Sequence, residues 1–244
     1  MSEITRVALV TGASGGIGRA VARRLAAAGT AVGVHYAGNK AAAEETVAAV
    51  EAAGGRAIAV NGDVADEGAM SDAFSAVEEA FGGVDVVIHT AGVMTLGPVA
   101  AFDLDAFDRL MRTNVRGAFV VAQQAARRVR DGGAVVTFST SVTRLAFPDY
   151  APYAASKGAV EAMTLVLARE LRGRDITVNA VAPGPTATPL FLDGKDRQTV
   201  DRLAAQPPLE RLGTPEDIAE TVAFLAGPGR WVNGQVLYVN GGIA

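Results

Sequence analysis

Tyr153 and Lys157, four residues apart in the stretch YAASK, could form an acid–base pair. At that spacing two side chains stand one above the other on one helix face. A phenol with an ordinary pKa of about 10 is a poor acid or base near neutrality. A fixed ammonium beside it would favour the phenolate and draw that pKa down. Ordinary exposed helices carry the same spacing, so the pair gains meaning only from its company. A second stretch that could do chemistry is TGASGGIG, where Gly12, Gly16 and Gly18 give G-x-x-x-G-x-G. Glycine permits a tight turn and lets backbone N–H groups approach a pyrophosphate at a helix N-terminus. Ser14, Gly15 and Ile17 complete this loop. A glycine pattern alone is weak; between a first strand and a first helix it points to a dinucleotide.

The elements needed to position these residues are legible. Short β-branched runs alternate with alanine-rich helical stretches. RVALVTG reads as a strand and GRAVARRLAAAG as a helix closed by Gly29. AVGVHY, AIAVNGDV, VDVVIHTAG, GAVVTFS, ITVNAVAPG and GQVLYVNGG read as six further strands. Helices are expected from about Lys40 to Ala53, over EGAMSDAFSAVEEAFG, from Leu104 to Arg130, and through Tyr153 and Lys157 to about Leu171. Strands apolar on both faces and joined by helices predict a parallel sheet covered on both sides. The expected fold class is α/β: a doubly wound, mostly parallel Rossmann sheet with helices on both faces, in a single domain over 1–244. Residues 185–214 are the least regular, and about 185–210 is expected to form a substrate lid after a strand end.

Near the end of strand two, NAD binders commonly carry an acid for the ribose 2′-hydroxyl. Here the strand ends VHYAGNK, and the first acid after Gly18 is Glu44, inside the next helix. Tyr36, Asn39 and Lys40, with His35, stand near the expected place. A 2′-phosphate would meet a lysine and no carboxylate there, so NADP(H) is favoured, with NAD(H) the alternative. Gly15, where a basic residue would have strengthened the case, weakens the preference.

Composition narrows the function classes. Half of the 244 residues are hydrophobic, enough for a large core. A net charge of −4 without a polybasic run argues against nucleic acid and anionic membrane as partners. With no cysteine and only His35 and His89 as histidines, neither a thiolate nucleophile nor a zinc or iron site is expected. The start MSEITRVALV has no signal-peptide apolar stretch, and no apolar run reaches the ~20 residues of a membrane helix. A soluble, cytoplasmic protein is expected.

With TGASGGIG and YAASKGAV in one chain, the sequence resembles the short-chain dehydrogenase/reductase family. GDV at 62–64, AG at 91–92, TN at 113–114 and VAPG at 181–184 extend the likeness over nearly the whole chain. It is similar to 3-oxoacyl-carrier-protein reductases and polyhydroxynaphthalene reductases. The resemblance implies Tyr153 as general acid in carbonyl reduction, or as base in alcohol oxidation. It implies that Lys157 binds the nicotinamide ribose and lowers the Tyr153 pKa, and that Asn114 holds a water linking Lys157 to solvent. Asp63 would accept from the adenine amino group beside the Val64 backbone. Ala91 and Gly92 would let the cofactor pass close to strand four. Pro183, Gly184, Thr186 and Thr188 would hold its nicotinamide side. The implied assembly is a homotetramer, with the Tyr153 helix and the C-terminal strand as contact surfaces.

Two departures stand out. The family usually has two asparagines before AG; here His89 and Thr90 stand there, and His89 is expected to be a structural donor to backbone rather than a second acid. The family's serine, usually thirteen residues before the tyrosine, falls on Thr140, flanked by Ser139 and Ser141. Spacing favours Thr140 and leaves both serines as candidates. Met94, Leu96, Phe147, Tyr150, Phe191 and Leu192 are candidate substrate contacts. Arg127, Arg128, Arg130, Arg172 and Arg174 could meet an acidic acyl carrier or complement helix C-termini. The expected activity is NADP(H)-dependent carbonyl reduction. The alternatives are an NAD-dependent alcohol or sugar dehydrogenase and a non-enzymatic nucleotide-sensing protein.

Overall fold

Alternation of apolar strands and amphipathic helices produces one sheet with two cores. The computed structural model describes residues 6–244. Its strands are β1 (Arg6–Thr11), β2 (Thr30–Tyr36), β3 (Ala57–Asn61), β4 (Val84–His89), β5 (Val129–Phe138), β6 (Thr177–Pro183) and β7 (Val236–Val239). They form a seven-stranded sheet in the order β3-β2-β1-β4-β5-β6-β7, and every pairing is parallel. The order reverses between β1 and β4, which opens a crevice at the strands' carboxyl ends.

One face of the sheet packs Val10, Val34, Val136 and Val181 against α1 (Gly16–Ala27) and α10 (Pro215–Ala226). The other packs Leu9, Val87, Val135 and Val178 against α3 (Glu67–Phe81), α5 (Gly117–Arg128) and α7 (Ala151–Glu170). Helix α2 (Lys40–Ala52) starts at Asn39, whose side chain accepts from Ala42 N. Helix α3 starts at Asp66 and stops at Gly82 with φ 87°, a left-handed cap that costs glycine little. Among the described residues no helix is long and apolar enough to cross a membrane.

Three features depart from the expected elements. The helical region from Leu104 is α4 (Leu104–Met111), a π-helical turn (Arg112–Arg116) and α5, and Asn114 sits in the π turn. Strand β5 starts at Val129, not at Gly133, because a register shift between Val84 and Val86 lets β4 pair across an irregular stretch. Arg130 is therefore a strand residue. The irregular segment 185–214 contains two short helices, α8 (Pro189–Leu192) and α9 (Arg197–Ala204); a further turn, α6 (Val142–Leu145), follows β5.

Four of the five helix-end arginines are engaged within the chain. Arg127 pairs with Glu67, Arg128 with Glu78, Arg130 with Asp85 and Arg174 with Asp131. Arg174 also donates to the Ala126 carbonyl at 2.6 Å, near the C-terminus of α5. The helix-end reading explains that arginine.

Candidate active site

The crevice is a cavity of about 710 Å³. At one end is the turn from β1 into α1. Gly12, with φ 67°, folds the chain back, and the side-chain-free Gly18 lets α1 press on that turn. A Cβ at Gly18 would fall 2.4 Å from the Gly12 carbonyl oxygen and 2.6 Å from Thr90 Oγ1. Ser14, Gly15, Gly16 and Ile17 line the same end, and a Cβ at Gly15 would meet nothing within 4 Å. The start of a twelve-residue helix thus faces open space without side chains in the way, and this end fits a dinucleotide pyrophosphate. Ala91, Gly92, Pro183, Gly184, Thr186 and Thr188 line the cavity further along.

Asp63 and Val64 form part of the wall beside Arg112. Asp63 Oδ1 accepts from Ala65 N at 2.9 Å and Oδ2 from Arg112 Nη1 at 2.6 Å. Burial pushes the carboxyl up, but these two donors outweigh it and hold it below its ordinary value. Sequence reading missed Arg112, since nothing in a separation of 49 residues announces the pairing.

Ala37 and Gly38 reach the cavity, while Tyr36, Asn39 and Lys40 lie off its wall. The Tyr36 side chain packs on the core. Asn39 is used as the cap of α2. Lys40, the first residue of that helix, extends into solvent with its ammonium 3.4 Å from Glu44. The helix begins at Lys40, as the sequence predicts, with Asn39 committed to its cap and the Lys40 ammonium beside Glu44. His35 lines the cavity and is buried, which pushes its pKa down to about 4. His89 is not on the wall. Its Nδ1 lies 2.9 Å from Thr11 Oγ1, and burial, then Lys157 and His35, push its pKa down to about 3. It is therefore a neutral partner of a threonine hydroxyl, not of backbone.

Tyr153 and Lys157 line the middle of the cavity from the first two turns of α7. Lys157 Nζ donates to the Phe138 carbonyl at 2.9 Å and lies 5.8 Å from the centre of the Tyr153 ring. Burial pushes the lysine down to about 8 and, with Tyr150 adding to it, pushes the tyrosine above its ordinary range. Desolvation thus opposes the lowering expected at Tyr153, and the phenol keeps its proton at neutral pH.

Asn114 is buried and does not line the cavity. Its Oδ1 accepts from Val93 N and its Nδ2 donates to Val93 O, both at 2.9 Å, and Nδ2 also lies 3.0 Å from Ser156 Oγ. A Cβ at Gly92 would come 3.2 Å from Asn114 Oδ1 and 3.3 Å from Lys157 Nζ, so a side chain there would crowd both groups at the strand end.

The three hydroxyls after β5 are all buried and all on the wall, yet they are engaged differently. Ser139 Oγ donates to Glu161 Oε1 at 2.5 Å. Ser141 Oγ donates to the Ala182 carbonyl at 3.3 Å and accepts from Asn240 Nδ2 at 3.1 Å. Thr140 Oγ1 accepts from Val142 N at 3.3 Å, which leaves its own hydrogen free to be given elsewhere. Met94, Phe147, Tyr150 and Phe191 line the remaining end, joined by Leu145 and Leu203, whereas Leu96 and Leu192 do not.

The comparisons agree with this geometry. Residues 12–244 match the family model described as Enoyl-(Acyl carrier protein) reductase. The chain is 44% identical over 248 residues to a short-chain type dehydrogenase/reductase of Picea abies, covering 97% of this chain and 92% of that protein. It is 41% identical over 253 residues to an NADPH-dependent aldehyde reductase-like protein, chloroplastic, of Arabidopsis thaliana, with 97% and 93% covered. The crystal structure of the angucycline C-6 ketoreductase LanV with bound NADP superimposes with a TM-score of 0.93 at 37% identity, covering 98% of this chain and 95% of that one. On this fold, cavity and likeness, the chain belongs to the short-chain dehydrogenase/reductase family and is an NAD(P)-dependent oxidoreductase.

Proposed function

We propose that the protein reduces a ketone or aldehyde with NADPH, and that Tyr153 supplies the proton. The observation that carries this reading is one cavity joining the glycine loop to Tyr153, Lys157 and the free Thr140 hydroxyl. A reduced nicotinamide dinucleotide held along the loop, Asp63, Gly92 and Thr188 would supply the hydride. The chain's own groups act on the carbonyl oxygen. Thr140 donates a hydrogen bond to it, and Tyr153 donates a hydrogen bond and then its proton, balancing the hydride added at carbon. Lys157 holds positive charge beside Tyr153, and Asn114 braces the Val93 backbone next to Gly92. The segment 185–210 acts as lid through Pro185, Leu190, Phe191 and Leu203, all on the wall. Among the described residues the charged side chains on the wall are Asp63, Arg112 and Lys157, which leaves the Phe147, Tyr150 and Phe191 end suited to an uncharged, apolar substrate. A panel of ketones and aldehydes assayed with NADPH and with NADH tests the activity; no turnover with any carbonyl would refute it.

A preference for NADPH is supported by the absence of an acid at the end of β2 and by the NADP or NADPH named for two relatives. Because Ala37 rather than Tyr36 reaches the cavity, Ala37→Asp is the substitution that should reverse the preference. The change in the kcat/KM ratio is expected to be roughly tenfold or more, about 1.4 kcal/mol. A wild type that uses NADH as well as NADPH would overturn the assignment.

The lysine gives a pH prediction. Lys157 is charged below about 8 and loses its proton above it. Tyr153 stays protonated through that range, so reduction should slow as pH rises through about 8. A rate constant flat across that interval would argue against a charged Lys157 in the reaction.

A homotetramer is proposed as well. Leu165 and Val166 on α7 and the fully exposed Trp231 just before β7 leave apolar surface on or beside the two elements expected to meet. Light scattering at micromolar concentration should give four times the chain mass; a monomer mass rejects it.

A further inference from the structure

We propose that Glu161 is a positioning residue that holds Ser139 away from the reaction and so presents Thr140 to the substrate. The inference rests on the reading of Thr140 as the hydrogen-bond donor.

Glu161 lies one turn beyond Lys157 on α7, outside the cavity wall. Its Oε1 accepts from Ser139 Oγ at 2.5 Å, and Thr143 Oγ1 stands 3.0 Å from the same oxygen. Thr143 Oγ1 is also 2.9 Å from the Thr140 carbonyl and 3.3 Å from Tyr238 Oη. One carboxylate oxygen thus ties the residue before Thr140 and the residue three after it to the helix that carries Tyr153 and Lys157. A hydroxyl-to-carboxylate bond is charge-assisted and stronger than one between neutral groups. Successive side chains at a strand end point to opposite faces, so fixing Ser139 toward α7 fixes Thr140 the other way. Backbone bonds from Ser139 N to Val181 O and from Ser141 N to Pro183 O carry the extended geometry past the end of β5, which keeps that alternation intact. Without the carboxylate, the Ser139 hydroxyl is free to turn and the α6 turn loses its tie to α7.

The test uses Glu161→Leu, which removes the acceptor, and Glu161→Gln, whose amide oxygen can still accept from Ser139. Glu161→Leu should lower kcat on the order of tenfold through misplacement of the donor, with KM and the NADPH dissociation constant nearly unchanged. Glu161→Gln should restore most of that rate. Thr140→Val, made in both backgrounds, should cost much less in the Glu161→Leu protein than in the wild type, because the hydroxyl it removes is already misplaced there. Equal losses from Thr140→Val in both backgrounds, a Gln variant no better than the Leu variant, or an unchanged kcat in Glu161→Leu would each overturn the proposal. A silent Thr140→Val in the wild type would instead overturn the reading of Thr140 beneath it. If Glu161→Leu fails to fold, a Gln variant near wild-type kcat supports the acceptor role, and a Gln variant slower than wild type by roughly tenfold or more overturns it.

Discussion

Tyr153→Phe is expected to lose about 10²–10⁴-fold in turnover while keeping its affinity for NADPH, because a positioned general acid contributes a factor of that size. The substitution removes only the phenolic oxygen. The ring, 8% exposed, keeps its packing in the first turns of α7, so the fold should be undisturbed. The size of the loss follows from the protonation state. Burial holds Tyr153 in its neutral form, and that is the form that can give a proton to a carbonyl oxygen receiving hydride. Steady-state rates and a fluorescence titration with NADPH check both halves. Turnover within about threefold of wild type would remove Tyr153 from the reaction.

Thr140→Val should be the second largest effect, roughly 10²-fold or more in kcat, the loss typical of one donor to a developing oxyanion. Valine matches threonine in shape, so the measurement isolates the hydroxyl. Ser141→Ala should cost little in rate, because that hydroxyl is used between the Ala182 carbonyl and Asn240. Ser139→Ala should cost less than Thr140→Val and about as much as Glu161→Leu, on the order of tenfold, since it removes the hydroxyl that Glu161 holds rather than the donor itself. A nearly silent Thr140→Val together with a dead serine variant would hand the donor role to that serine.

The sequence by itself determined the sheet-and-helix alternation, the glycine loop and the i, i+4 pair, because these are local. Strand runs of Val and Ala, Gly12 with its positive φ, and four-residue helical spacing all act through near neighbours. The family likeness was legible for the same reason, in short motifs spread along the chain. Tertiary structure decided what depends on distant chain segments meeting. Tyr36, Asn39 and Lys40 are near the expected place in sequence, yet Tyr36 packs on the core, Asn39 is the cap of α2 and Lys40 extends into solvent beside Glu44. His89 finds its partner in Thr11 of the neighbouring strand, at a separation of 78 residues. Asp63 meets Arg112 only because the π turn after α4 brings it to the end of β3. The choice among Ser139, Thr140 and Ser141 is of this kind too. Spacing to Tyr153 favours one, but the commitments of the other two are set by Glu161, Ala182 and Asn240, from α7, β6 and the chain's last turn. The sign of the Tyr153 shift also belongs to the fold: a neighbouring lysine predicts a lower pKa, and desolvation, which exists only once α7 is packed against the sheet, moves it the other way.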